Sequence, residues 1–99
     1  MELIASQPYV KVVRQVSSLQ QTDTEEKRYM HLYNDKVVTK HREFPIDDVL
    51  DMSYRFVGKD SGMLYLHTLK GVYPYIVKTS PEDFVESFKE FQNKRRYHT

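Results

Sequence analysis

Cysteine and tryptophan are absent from these 99 residues, and only three glycines interrupt them. Without cysteine there is no disulfide framework, no thiolate metal site and no thiol nucleophile. Charge of either sign is not in excess: 15 basic against 14 acidic residues leave a formal net charge of +1. Net charge therefore offers no broad attraction to nucleic acid or to an anionic membrane, and only a local patch stays open. No apolar run approaches the roughly 20 residues that span a bilayer. Met1 to Val16 lacks the charged-then-apolar order of a secretion signal, and Lys11 and Arg14 interrupt its longest apolar stretch. The expectation is a soluble cytoplasmic protein.

What the chain does carry is aromatic surface: eight tyrosines and five phenylalanines in a length that makes one domain, residues 1–99. A chain of this size buries roughly 65% of its unfolded surface, enough to fold without staples. Tyrosine suits a half-buried strand, because the ring packs while the hydroxyl reaches water. The clearest single element is the last. Ser80 is a good N-cap, Pro81 fits the first helical position, and Glu82 and Asp83 favour the positive end of the helix dipole. Phe84, Val85, Phe88 and Phe91 then recur on one face, so a capping helix is expected over 81–96.

Everything before it reads as strands within 9–78. Tyr9 to Val16 is the first, with Val10, Val12 and Val16 on one face and a bulge expected at Val13-Arg14. Ser17 to Lys27 is polar and reads as loop, with room for a short strand near Ser18 to Thr22. Tyr29 to Tyr33, the turn Asn34-Asp35 and Lys36 to Glu43 form a hairpin. Val49 to Val57 places Leu50, Met52, Tyr54 and Phe56 together. A turn at Lys59 to Gly62, Met63 to Leu69, the connection Lys70-Gly71 and Val72 to Lys78 complete the set. Pro74 cannot donate to a ladder, which points to a sheet edge or a bulge. The expected fold is mainly β with one C-terminal α-helix: an antiparallel barrel of six or seven strands capped by that helix.

The segment from Tyr29 to Val38 resembles the strand–turn–strand of bacterial pleckstrin-homology-like domains. Phe44-Pro45-Ile46-Asp47-Asp48-Val49 resembles their entry into the next strand, and Gly62 to Thr68, Lys70-Gly71 and Ser80 to Phe84 resemble their closing rhythm. Within that group the chain is most similar to small proteins classed with the sublancin immunity protein. The resemblance covers residues 29–92 and implies a barrel used for binding. Phosphoinositide-binding members carry a basic cluster around the first hairpin loop, whereas Ser17 to Lys27 holds three acids and one lysine. Inositol-phosphate binding is not expected.

Each chemical constellation has a plainer reading. Asp47, Asp48 and Asp51 could hold a divalent cation or supply paired carboxylates, but they also suit a turn before a strand. The histidines, His31, His41, His67 and His98, show no metal-ligand spacing, although those at 31 and 67 could approach across a sheet. Ser53, Ser61 and Thr68 are candidate nucleophiles without a G-x-S-x-G elbow. Lys94-Arg95-Arg96 suits a helix C-terminus. Tyr65, His67, Tyr73, Pro74 and Tyr75 on the last hairpin either line the core or form an exposed aromatic interface. No cofactor, no metal and no catalytic residue are expected. The function read from this is a non-catalytic binding or scaffolding module for an unidentified protein partner or a second copy. The resemblance offers an alternative, an immunity-like protein peripheral to the inner membrane face. A metal-dependent enzyme using the aspartates is the remaining one.

Overall fold

In the computed structural model, residues 2–16, 21–56 and 61–97 are described. They form seven strands: β1 (Leu3–Val16), β2 (Gln21–Tyr33), β3 (Lys36–Val38), β4 (Glu43–Pro45), β5 (Val49–Phe56), β6 (Gly62–Thr68) and β7 (Gly71–Val77). A short 3-10 turn, Ile46–Asp48, links β4 to β5, and α1 (Glu82–Tyr97) follows β7. All pairings are antiparallel, in the order β4-β3-β2-β1-β7-β6-β5. The expected mainly-β architecture with one C-terminal helix is therefore observed, as a seven-stranded sheet that among the described residues does not close on itself. The strand near Ser18, the turn at Lys59-Asp60 and His98 lie outside the described residues.

The inner face of the sheet is built by alternation. On β6, Gly62, Leu64, Leu66 and Thr68 are buried or nearly so, while the residues between them are half-buried. On β2, Met30 and Leu32 are buried, and on β1 the inward residues are Gln7 and Tyr9. Val10, Val12 and Val16 do share one face, since the β1–β2 register is unbroken from Ala5 to Val16, and it is the outer one, with Val12 and Val16 exposed. The expected bulge at Val13-Arg14 is absent, since both pair in register, and the shift lies between Leu3 and Ala5. Gln7 is buried because its amide donates to Thr79 Oγ1 at 3.3 Å and to the Pro8 carbonyl at 3.1 Å. A polar side chain inside the sheet is tolerable when its donors are used in this way.

Two expectations fail for polar reasons. Ser17 to Lys27 reads as loop, yet Gln21 to Lys27 belongs to β2. There β1 and β2 pair with each other alone, as a ribbon exposed to water on both faces, so hydrophobic alternation has nothing to mark. The molecule is correspondingly elongated, 59 × 27 × 23 Å. The strand expected over 36–43 stops at Val38. Thr39 and Arg42 tie a turn, with Thr39 N–H donating to the Arg42 carbonyl at 2.8 Å and Arg42 N–H to Thr39 Oγ1 at 3.1 Å. Leu50 leaves the face shared by Met52, Tyr54 and Phe56 because the β5–β6 register shifts between Val49 and Asp51.

α1 starts at the Ser80 cap, whose Oγ accepts from Glu82 N–H at 3.3 Å. It buries Phe84, Val85 and Phe88 against β1 and β5, and half-buries Phe91. Each such side chain contributes about 1.5–3 kcal/mol by leaving water. Near its end, Gln92 donates to the Leu50 carbonyl at 2.8 Å and Arg95 pairs with Asp47. Two glycines are fixed by geometry. Gly71 follows the Leu69-Lys70 turn with φ of +133°, where an L side chain is strained. At Gly62 a Cβ would stand 2.6 Å from the Arg55 carbonyl oxygen and 2.7 Å from the Phe56 ring.

Phe88→Ala is expected to lower stability by about 3–5 kcal/mol in urea unfolding, and Phe91→Ala by clearly less. Equal losses would contradict this account of the helix. Gly62→Ala should cost about 1–3 kcal/mol, because backbone rather than a flexible side-chain tip must move.

Candidate binding site

β7 pairs with β6 at every residue from Gly71 to Val77, but with β1 it shares one pair, Val10 with Ile76. Continuing the antiparallel order past that pair brings Lys11 and Val12 alongside Tyr75 and Pro74, yet no ladder forms there. Pro74 has no N–H to offer one. At this divergence a cleft of about 440 Å³ opens, walled by Tyr9 to Val12 and by Pro74 to Ile76. Arg28, Thr39, His41 and Arg42 complete it.

Local structure holds these groups in place. Arg28 lies opposite Tyr9 in the β1–β2 register, on the inward face. Its side chain is 14% exposed, and Nη2 donates to Glu26 Oε2 at 2.7 Å. Its Nε is buried with no acceptor. The pinched turn 39–42 fixes His41 and Arg42, and Lys40 N–H donates to the Tyr9 hydroxyl at 3.3 Å. The Arg42 guanidinium sits 4.9 Å from the Tyr73 ring centroid. Four basic side chains, Lys11, Arg28, His41 and Arg42, thus line the cleft, and among the described residues no acidic one does. None of the ion pairs among the described residues uses Lys11 or Arg42.

The five residues of the expected aromatic interface divide between two faces. Leu66 pairs with Tyr73 and Leu64 with Tyr75, so both tyrosines point inward and pack on the core. Tyr73 meets Phe44 and Tyr75 meets Tyr9, with ring centroids 5.1 and 5.0 Å apart. Tyr65 pairs with Pro74 and His67 with Val72, on the outer face. A single patch of all five does not form, though Pro74 and Tyr75 meet again at the cleft.

The histidine and aspartate constellations also separate. His31 and His67 lie on β2 and β6, with β1 and β7 between them. Each bonds a serine on a neighbouring strand, Ser6 at 2.8 Å and Ser53 at 2.7 Å. Recurrence of the same pair at two places is what cross-strand packing produces. Asp47 turns to Arg95 and Asp51 to its own neighbour's N–H, on Met52. Among the described residues, no three His, Asp or Glu side chains converge as metal ligands would. No described helix is long and apolar enough to cross a membrane.

Sequence reasoning weighed His41 only as a metal ligand and missed Arg28 and Arg42; Arg28 lies apart in the chain from His41 and Arg42 and meets them only through the sheet order. Their effect on neighbours is electrostatic and steric. The hydrogen bond from Arg28, then its charge, holds Glu26 below the usual carboxylate range. Burial lifts the Tyr75 hydroxyl above the usual tyrosine value, against the lowering effect of its hydrogen bond with Thr39.

Two titrations test this. In Arg28→Gln the Glu26 carboxyl should titrate at higher pH than in the wild type, followed by NMR. The pair's contribution to stability is then present at neutral pH and lost as pH falls through the depressed Glu26 range. Tyr75 works in the opposite sense: its burial supports the fold below the ordinary tyrosine pKa and ceases to do so as pH rises through its own. Tyr75→Phe should remove a late-ionising phase from the ultraviolet titration while keeping the packing.

No protein-family model matches the chain, and no curated protein or solved structure matches it either.

Proposed function

We propose that the chain is a non-catalytic binding module of the pleckstrin-homology-like type, and that it receives an extended segment of a protein partner along the seam between β1 and β7. The order of seven antiparallel strands followed by one packed helix supports the architectural part. The observation that carries the binding part is the single Val10–Ile76 pair between two strands that each form a long ladder on their other side. Beyond it two backbone edges face a cleft, and such edges are where extended peptides add to sheets. Val10, Val12, Pro74 and Ile76 give the walls an apolar component that suits alternate side chains of a strand. The β1–β2 ribbon extends one of these edges outward, lengthening the surface.

Selection from a random peptide library tests the reading, with amide hydrogen exchange on the complex as readout. Bound peptides should slow exchange at alternate amides of residues 11–14 and 72–75, those turned to the seam, and leave the surroundings of Tyr65 and His67 unchanged. Protection confined to those surroundings, or no enrichment of any peptide, would remove the seam as the binding surface.

A further inference from the structure

Resting on the seam reading, we infer that the segment it accepts is acidic, with carboxylate side chains directed at Arg28, Arg42 and Lys11. The chain as a whole is almost neutral, whereas Lys11, Arg28 and Arg42 line one cleft with a single carboxylate, Glu26, bonded to Arg28 beside them, so net positive charge is concentrated there. Electrostatic complementarity of this kind selects partners and speeds their encounter more than it adds raw affinity.

Arg28 shows how a carboxylate is taken up here. Glu26 reaches it from the ribbon side and engages Nη2, at 2.7 Å, leaving Nε buried without an acceptor. A guanidinium offers five N–H donors in a planar fork and favours two-point contact with carboxylates. One part of this fork is therefore occupied by the chain's own acid while Nε still lacks an oxygen. Because Nε is closed to solvent, an incoming carboxylate feels Arg28 through its charge, not by bonding that nitrogen. Lys11 and Arg42, both solvent-exposed, stand at the same opening and enter none of the ion pairs described. Arg42 is held by its contact with Tyr73 and by the 39–42 turn, so its position is set before any partner arrives.

A peptide is favoured over a small phosphorylated ligand by the rest of the lining. Apolar side chains from both strands alternate with the cations, and backbone edges run beside them. Alternating acidic and β-branched residues in an extended segment would place one set toward the cations and the other toward the valine and isoleucine walls.

The test uses capped synthetic peptides that alternate valine with glutamate, with glutamine or with lysine, titrated into the intact protein. The glutamate peptide should bind with protection of the seam amides, and should weaken as salt is raised. The glutamine peptide should bind about tenfold or more weaker, and the lysine peptide not at all. Lys11→Gln, at an exposed position, should weaken the glutamate peptide without lowering the thermal midpoint, and Arg42→Gln should weaken it too, with only the small drop in midpoint that losing the Tyr73 contact brings. Arg28→Gln should weaken it further. Equal binding of glutamate and glutamine peptides would leave the seam reading intact and overturn the acidic partner. So would glutamate binding that all three variants leave unchanged. If inorganic pyrophosphate binds while no peptide does, the cleft is a small-anion site and both readings fall.

Discussion

One residue pair, Val10 with Ile76, joins the two halves of the sheet, so the connection between them is carried largely by what α1 buries beneath both. Phe84, Val85 and Phe88 sit in the same apolar cluster as Met30 and Leu32 from one half and Leu64 and Leu66 from the other. A continuous ladder between β1 and β7 would have fixed the halves by backbone bonds. Here side-chain burial substitutes, assisted by Gln7, whose amide bridges from β1 to Thr79 at the start of the helix linker. Hydrophobic burial is non-directional, and this leaves the two strands free to splay beyond their single pair.

The cleft follows from that freedom. Splaying opens the sheet where Tyr9, Tyr75 and Thr39 cap the core, and the residues just outside the cap are Arg28, Lys11, His41 and Arg42. Cations at such a mouth keep an open strand edge from pairing indiscriminately, which is a common protection for exposed edges. The same charges make the edge selective toward one kind of partner. Stability and recognition therefore draw on separate layers, an apolar one under the helix and a charged one at the seam.

Much of the architecture is legible in the order of residues alone. The helix announces itself through Ser80-Pro81 and the spacing of Phe84, Val85 and Phe88, because local capping and one-sided burial act together there. The hairpin of β6 and β7 is equally clear from alternation and from Lys70-Gly71. The start of β2 is not, since a ribbon washed on both faces needs no apolar pattern and is held by backbone pairing and cross-strand charges such as Arg14 with Asp23. The inward turn of Tyr73 and Tyr75 is undecidable in sequence, because tyrosine serves either face. The site is the least visible part. Arg28 on β2 and the adjacent His41 and Arg42 on the 39–42 turn belong to separate elements, and nothing in their spacing says that β1, β2, β7 and that turn converge.

The place of α1 in the chain has a consequence for the order of synthesis. Both half-sheets are made before the helix that holds them together, and β1 meets its neighbour in the second half when β7 has emerged. Until then the nascent protein is two partly finished sheets with apolar inner faces open to water. Docking of the helix is thus the step that covers the inner faces of both half-sheets at once.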